Sequence, residues 1–454
     1  MAPGRPSPIS HFTNGHTANG RHQRRRRLDR QQPAEIYGLP EYLYNAYTHL
    51  AYTGAYGREL PLLIDAGNGE EITYRSFQQC AAVLSRNLEL QCSLEAYDTV
   101  AILALSNIDI PIVTVAAWNV RANVVVLPPE ASIDELQAML VQHMPRVIFV
   151  STVLLDQAQQ LLSGLSNSRR VQIVLFDIGS NANSYQSPIN NMPPLLAIHQ
   201  LYISNLDEVP SERQPLSFNE AQELTAVIYF NHQIGEDGTI LVDANSMSHY
   251  SVISFYNSSL RRSPSLPSTG SASRPARSEP NRPQTPISPT SRLNIAESSL
   301  DHTPDIAFTV LRMHRAYRLH RVLFDMFCRG ARYIVAHSFD PAQFVNLVDQ
   351  YALLYAELTF AEIAQFVGFM QTHMMHRLSS ESEADSQVSV SQATVSSLLD
   401  PELSDMLATL RIIYTESDRA ELELGAEVSR LLPNAIIVRT RFGSYVESPV
   451  RSRT

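Results

Sequence analysis

Residues 97–105 read YDTVAILAL, and the apolar run Thr99–Leu105 inside this stretch has the length of one buried strand. Similar runs follow at 123–127 (NVVVL), 146–150 (RVIFV) and 171–176 (VQIVLF), with helical patterns between them. Strands that are apolar along their whole length are usually buried on both faces, and their alternation with helices is typical of βαβ units. The sequence therefore predicts an α/β fold with a mostly parallel sheet.

Helix signals fill the segments between these runs. From Tyr74 to Leu90, apolar side chains recur every three or four residues, which predicts a helix with one buried face. Ser132, followed three residues later by Glu135, is a capping box for a helix through His143. Asp340-Pro341 supplies an N-cap and a first-turn proline for another helix.

A further strand-like run lies at 226–230. The alternation then stops at a stretch rich in Ser, Pro and Arg and resumes with strand-like runs at 332–335, 410–414 and 435–438. We therefore predict two βαβ-type layered subdomains with mostly parallel sheets. In chain order the predicted parts are a disordered basic arm (1–35), a first α/β part (36–257), a disordered insert (258–305), a second α/β part (306–448) and a tail (449–454).

The two polar segments leave alternatives open. The Arg24–Arg27 run is either a nuclear-import or anion-binding arm or a solvated tail. The insert contains Ser263-Pro264, Thr285-Pro286 and Ser288-Pro289, which suit proline-directed phosphorylation. An unmodified flexible loop explains these dipeptides equally well.

The charge composition excludes several kinds of chemistry. With 44% hydrophobic residues the chain is not disordered as a whole, and its net charge of −10 argues against a surface that tracks nucleic acid. The sequence contains no lysine, so all 35 side chains counted as Lys+Arg are arginine. A lysine Schiff base or a phosphate-loop lysine is therefore excluded within these residues, because a guanidinium cannot replace an amine in either role.

The cysteines and the N-terminus suggest an intracellular protein. Cys80, Cys92 and Cys328 are odd in number and lack metal-ligand spacing, so we expect free thiols. No secretory apolar core and no apolar run of about 18 residues is present, so we expect no membrane span. We predict a cytoplasmic location, with nuclear entry through the Arg24–Arg27 run left open.

Several motifs, taken in order, resemble the AMP-forming acyl- and aryl-CoA ligases of the adenylate-forming superfamily. The resemblance is carried by EITYRSF (71–77), YDTVAILAL (97–105), NVVVLPP (123–129), AVIYF (226–230), LRMHRAYRL (311–319) and RFGSYVES (441–448). The resemblance spans nearly all of residues 37–448, but many of the family's motif residues are replaced. It implies a large domain of two similar βα layers and a small barrel, and a C-terminal domain with a catalytic lysine. Since the family's later Thr-Gly-Asp segment is not found, we expect a truncated, degenerate large N-terminal domain.

The resemblance places a phosphate loop at residues 230–239. The family loop reads Tyr-Ser-Ser-Gly-Thr-Thr-Gly-x-Pro-Lys-Gly, in which glycines let N–H groups approach phosphates and the lysine neutralises their charge. Here Gly235, Gly238 and Thr239 remain as a vestigial loop, while Glu236 and Asp237 add negative charge where positive charge is needed. We prefer a plain Gly-Asp-Gly turn to a working phosphate cradle.

The other family motifs are also altered. His314 matches the family's acyl-pocket histidine, but Tyr317 or Arg318 stands in place of a small glycine, so we expect a narrowed pocket and leave a structural role for His314 open. Glu416-Ser417-Asp418 replaces a Gly-Gly-Ala nucleotide turn. The vestigial adenine and magnesium motif consists of Phe442, Gly443 and Glu447.

Taken with the resemblance, these changes predict a degenerate AMP-binding protein that is catalytically inactive and acts as a binding, scaffold or regulatory protein, with another protein chain as its partner. The alternative is an ATP-dependent acyl- or aryl-CoA ligase with low activity or with help from another chain. ATP, Mg²⁺, a small carboxylic acid and CoA are expected only under this alternative, and no specific nucleic acid is expected. No metal is expected either, because His373 and His376, which we read as an ordinary helix end, lack a third ligand.

Overall fold

The structure is a computed structural model. The residues it describes are 37–52, 60–165, 170–176, 195–202, 215–234, 240–260, 306–310, 312, 318–382, 406–415, 424–432 and 435–439. The predicted basic arm, the insert from residue 261 and the predicted tail lie outside these ranges.

Fourteen strands are found in the described residues. They are β1 (Pro61–Asp65), β2 (Glu71–Thr73), β3 (Thr99–Leu103), β4 (Asn123–Val126), β5 (Val147–Val150), β6 (Gln172–Leu175), β7 (Leu196–Ala197), β8 (Thr225–Ile234), β9 (Ile240–Ser248), β10 (Ile306–Val310), β11 (Arg332–Ala336), β12 (Tyr355–Glu357), β13 (Ile412–Thr415) and β14 (Ile436–Arg439).

The helices lie between these strands. They are α1 (Leu39–Tyr52), α2 (Tyr74–Cys92), α3 (Asp109–Asn119), α4 (Ile133–Leu140), α5 (Leu155–Ser163), α6 (Ile198–Tyr202), α7 (Phe218–Glu223), α8 (His249–Leu260), α9 (Arg318–Phe324), α10 (Pro341–Tyr351), α11 (Phe360–Ser382) and α12 (Gly425–Leu431). A 3-10 turn covers Thr152–Leu154, and a π-helical segment covers Asp325–Arg329.

The strands form two sheets built on one plan. Sheet 1 has the order β7-β6-β5-β3-β4-β8-β9, and sheet 2 has the order β14-β13-β12-β10-β11-β1-β2. In each sheet six strands are parallel and the last strand is antiparallel to its neighbour. The predicted α/β fold class, with two mostly parallel sheets, is confirmed.

Sheet 2 is completed by strands from the first part of the chain. Strand β1 pairs in parallel with β11, with Leu63 opposite Tyr333 and Asp65 opposite Val335. The short strand β2 then adds to the outer edge of β1. The two halves of the sequence are therefore joined through one hydrogen-bonded sheet and not only by packing.

Residue alternation along the strands divides the core into layers. In β3, Val100 and Ile102 lie in the largest core, which α1, α2, α3, α8 and α9 share between the two sheets. Ala101 and Leu103 lie in a second core with α4 and α5, on the outer face of sheet 1. A third core packs α10, α11 and α12 on the outer face of sheet 2. This is the arrangement expected when side chains point alternately to opposite faces of a strand.

The helix signals read from the sequence are largely confirmed. Helix α2 begins at Tyr74 with Thr73 as its N-cap, and the Ser132–Glu135 capping box starts α4. Asp340 accepts a hydrogen bond from the Ala342 N–H at the start of α10. One helix prediction was wrong in detail, because α4 ends at Leu140 and not at His143.

Candidate functional site

The site residues named from the sequence all lie outside the described residues. This applies to His314 and to the two vestigial motifs, whose members are Gly235, Gly238, Thr239, Phe442, Gly443 and Glu447. The acidic turn at 416–418 lies outside as well. Their roles stay predictions, but the strands and helices that flank them are described and define the surroundings.

The strand before the phosphate-loop position is longer than predicted. We expected it to end at Phe230, but β8 continues to Ile234 and pairs with β9 along its whole length, with Asn231 opposite Asp243 and Ile234 opposite Ile240. In an extended strand, successive N–H groups point to opposite edges. The N–H groups of 231–234 therefore do not converge on one point, as the donors of a phosphate-binding loop do.

The second half of the candidate site lies at the carboxyl edge of sheet 2. The chain leaves β10 through α9 to reach β11 on one side, and it leaves β11 through α10 to reach β12 on the other side. This reversal between β10 and β12 is a topological switch point, where open α/β sheets usually bind their ligands.

Arg321 of α9, whose side chain is 18% exposed, lies at this switch point. The Arg321 Nε is 3.2 Å from the Glu357 Oε1 at the end of β12, in an ion pair without hydrogen-bond geometry. Its guanidinium carbon is 4.3 Å from the centre of the Tyr414 ring on β13. Thr309 of β10 donates to the Glu357 Oε2 at 3.4 Å. Glu357 is only 5% exposed, so this carboxylate faces protein groups and not water.

Asp325, at the start of the π-helical segment, connects Arg321 to the rest of the core. Its carboxylate accepts from Tyr256 and Tyr333 at 3.1 Å each, and it contacts Arg321 at 3.4 Å and Arg329 at 3.2 Å. Burial raises the pKa of both phenols, and the nearby Asp325 raises them further, so both stay protonated as donors.

Three arginines of this region are paired with carboxylates of this chain. Burial alone would lower the pKa of Arg321, but Glu357 and Asp325 outweigh it and raise that pKa above its ordinary value. On the neighbouring loop Arg312 contacts Glu362 at 3.1 Å, and Glu362 is buried. Arg312, Arg321 and Arg329 thus each face a carboxylate of this chain, and none of these pairs was predicted from the sequence.

Arg318 takes one of the two positions where the family resemblance calls for a small glycine. Its side chain donates from Nη1 to the Val310 carbonyl at 3.4 Å, and the residue is 7% exposed. A guanidinium therefore packs against the end of β10. This placement agrees with the predicted narrowing of the pocket, which remains a prediction because His314 is not described.

The two sheets are also tied together near their carboxyl edges, in a way the sequence did not indicate. His337, after β11, has its Nδ1 2.6 Å from the Ser106 carbonyl, in the loop after β3. Its Nε2 is 3.3 Å from the Asp65 Oδ2. The other oxygen of Asp65 accepts from the Gly67 and Asn68 N–H groups. Both ring nitrogens thus lie against oxygen atoms of this chain, one from each sheet.

Two further histidines lie in the shared core on either side of Trp118. The His249 Nδ1 accepts from the Leu39 N–H at the start of α1, and the His320 Nδ1 lies 3.4 Å from the Tyr229 hydroxyl. Burial lowers the pKa of each histidine to about 3. Both are neutral structural groups at ordinary pH and are unsuited to proton transfer near pH 7.

The described residues offer no metal centre. They contain no group of three or more His, Cys, Asp or Glu side chains placed to hold an ion. His373 lies on the exposed side of α11 against Phe369, well before the helix ends at Ser382, so its assignment to a helix end was wrong. The three cysteines are free thiols, and burial raises the pKa of Cys92 to about 11. Of the helices described, none is long and apolar enough to cross a membrane.

Comparisons with known proteins agree with the predicted resemblance. Residues 53–229 match the family model described as AMP-binding enzyme. No curated protein matches the sequence. The match covers β1 to the first half of β8, which includes the motifs at 71–77, 97–105 and 123–129 on which the resemblance was based.

Solved structures show the same fold. The luciferase-like enzyme from the mealworm Zophobas morio is 16% identical, with a TM-score of 0.57, 88% of this chain covered and 71% of that one. A putative long-chain-fatty-acid CoA ligase from Rhodopseudomonas palustris is 15% identical, with a TM-score of 0.54 and coverages of 89% and 75%. The anthranilate CoA ligase AuaEII, solved with anthranoyl-AMP, is 10% identical, with a TM-score of 0.58 and coverages of 88% and 59%. The chain thus has the fold of the large domain of adenylate-forming ligases.

Proposed function

We propose that this chain, an AMP-binding-type α/β domain with the fold of the adenylate-forming ligases, is a non-catalytic binding or scaffold protein that does not form acyl-adenylates. The observation that carries the proposal is the β8–β9 ladder, which continues through Asn231–Ile234. These residues stand at the start of the phosphate loop that the resemblance calls for.

The ion pairs of the switch point support the same conclusion. A triphosphate needs donors and cations that are not already neutralised, because charge-assisted hydrogen bonds supply most of its binding energy. Here Arg321, Arg329 and Arg312 each contact a carboxylate of the same chain, and Glu357 and Glu362 are buried. Any anion that displaced Glu357 from Arg321 would leave a buried carboxylate behind, which is costly.

ATP and Mg²⁺ therefore do not fit the residues present. The phosphate-loop sequence has no lysine, and its Glu236 and Asp237 would repel a triphosphate. The N–H groups before it are held in a strand. We expect no cofactor, and we derive no reaction step through a nucleotide.

The proposal is tested by titrating the purified protein with ATP·Mg²⁺ while its melting temperature is followed. A ligand at about 100 times its Kd adds about 2.7 kcal/mol of stability, so binding in the useful range gives a clear shift. We expect none with up to millimolar nucleotide. In the same preparation, ATP–pyrophosphate exchange should stay at background with fatty and aromatic acids.

Two variants make the exchange assay decisive. Glu447→Ala removes the carboxylate that matches the family's magnesium-side residue, and Glu95→Ala removes an exposed carboxylate before β3 as a control. Exchange above background that is lost in Glu447→Ala and kept in Glu95→Ala would overturn the proposal. The chain would then be an active acyl- or aryl-CoA ligase, with a small carboxylic acid and CoA as further ligands.

A further inference from the structure

Strand β9 is an unusually long edge. It covers nine residues, Ile240–Ser248, and stands last in sheet 1. The other sheet edges in the described residues are much shorter, with β7 at two residues, β2 at three and β14 at four. Among the described residues, β9 pairs with β8 only, so one side of its backbone lacks a strand partner.

The sequence of β9 lacks most devices that protect such edges. Edge strands are normally blocked by proline, by lysine or arginine, or by a bulge. Residues 240–248 read ILVDANSMS and contain neither proline nor a basic residue. The one irregularity of the β8–β9 ladder lies between Thr225 and Val227, near the far end of β9 at Ser248. Asp243 is the only charged side chain on this strand.

The strand is self-complementary about its centre. If two copies of β9 paired antiparallel around a two-fold axis at Ala244, all nine residues would find a partner, with Ile240 opposite Ser248 of the second copy. Asp243 would then face Asn245, an amide that can donate to the carboxylate. In contrast, an axis at Asp243 would place two carboxylates face to face, which is destabilising.

The two faces of β9 are consistent with this register. Val242 and Ala244 pack toward the core under α4 and α5, and Asp243 is exposed. Side chains directly opposite each other in an antiparallel pair lie on the same face of the sheet. Both Asp243–Asn245 pairs would therefore form on the opposite face, on which Asp243 is exposed and Asn245 is half-buried.

We propose that this protein forms a two-fold symmetric dimer through β9, in which the two copies of sheet 1 join into one continuous sheet. The partner is a second copy of this chain, and the interface is isologous, so the same residues serve both sides. The main-chain hydrogen bonds supply affinity, and the two Asp243–Asn245 pairs fix the register. The inference depends on β9 alone, so it stands or fails independently of nucleotide binding.

Charge variants at one position test the register. Asn245→Asp would place two carboxylates opposite each Asp243, and Asn245→Arg would place a cation there. Analytical ultracentrifugation of the full chain over a range of concentrations should show a dimer. We expect its dissociation constant to rise about tenfold or more for Asn245→Asp and to stay equal or fall for Asn245→Arg. Ser246→Asp, on the other face and opposite Val242, is the matched charge control and should change it far less.

A cysteine pair locates the axis. Ala244→Cys should form an intermolecular disulfide when diamide is added as the oxidant, because residues on the axis face their own copies at cross-strand distance. Asn245→Cys should cross-link much less, and the unmodified protein, with its three native thiols, measures the background. A monomer at every concentration, an Asn245→Asp variant as dimeric as the unmodified protein, or stronger cross-linking at 245 than at 244 would overturn the proposal. Equal melting temperatures for the variants exclude misfolding as the cause.

Discussion

Acid should destabilise this protein through the two histidines that lie beside Trp118, and the effect can be calculated. The pKa of His320 is lowered to about 3 by burial, from an ordinary value of 6.5. The unfolded chain therefore takes up a proton as the pH falls below 6.5, while the folded chain does not. This stabilising contribution is fully present above pH 6.5 and is lost as the pH falls toward 3.

The loss amounts to about 1.4 kcal/mol per histidine at pH 5.5 and about 2.7 kcal/mol at pH 4.5, since one pH unit below the unfolded pKa is worth about 1.36 kcal/mol. His249, whose pKa is also lowered to about 3 by burial and by the charge of Arg121, adds the same amount. Together the two histidines should cost the fold about 5 kcal/mol at pH 4.5, a large part of the usual stability of a domain.

The measurement compares His320→Gln with the unmodified protein in urea unfolding at several pH values. Trp118 is the only tryptophan of the chain and is 1% exposed, so its fluorescence reports unfolding directly. The variant should lose about 2.7 kcal/mol less between pH 8 and pH 4.5. The titration of carboxylates contributes equally to the pH dependence of both proteins, so it cancels in the difference between them. His373→Gln, at an exposed position, should follow the unmodified protein. Parallel curves for His320→Gln and the unmodified protein would refute the reasoning.

Other variants test the remaining contacts. Asp325→Asn should lower the free energy of unfolding by about 3–5 kcal/mol, because it removes the charge of a buried carboxylate that faces Arg321, whose side chain is only 18% exposed. Asp349→Asn on the exposed side of α10 should change it by less than about 0.5 kcal/mol. Urea unfolding measures both, and equal losses would contradict the assigned role. Replacing Arg321 by Met and Glu357 by Leu together should lower the free energy of unfolding less than either single change, because the double variant leaves neither partner of the pair buried alone. If the losses of the two single variants simply add up in the double variant, the ion pair is unimportant. Ser132→Ala should cost about 1 kcal/mol by removing the N-cap of α4, and an unchanged melting temperature would show that the capping box contributes nothing.

Local sequence patterns were sufficient for the strands buried on both faces. Thr99–Leu103 forms β3 with every residue buried, and its continuous apolar run predicts such a strand. Strand β9 was missed because an edge strand needs fewer apolar residues and reads as a polar segment. Strand β1 was missed as a member of sheet 2 because its pairing of Leu63 with Tyr333 spans most of the chain, and no local pattern encodes such a contact.

The charged cluster was missed for a related reason. In a single sequence, arginines and carboxylates at helical spacing indicate a solvated surface, and Arg321 and Asp325 have that i,i+4 spacing. Only the structure shows that Glu357 contacts Arg321, and that the Tyr333 hydroxyl contacts Asp325, inside the protein. The family resemblance indicated where a ligand site would lie, but it could not indicate that this chain's own side chains occupy the region.

The extended β8–β9 ladder and the paired arginines of the switch point bear on the proposed function in the same way. A ligand-binding site keeps donors and charges unpaired until the ligand arrives, and this usually costs stability. In this chain the segment before the phosphate-loop position is paired as a strand, and the arginines of the switch point are paired with internal carboxylates. In both places, main-chain donors or arginines are held by contacts within the chain. Single substitutions that restore one family residue, such as Asp237→Lys, should therefore leave exchange activity at background, because the neighbouring donors remain committed to β9, Glu357 and Glu362.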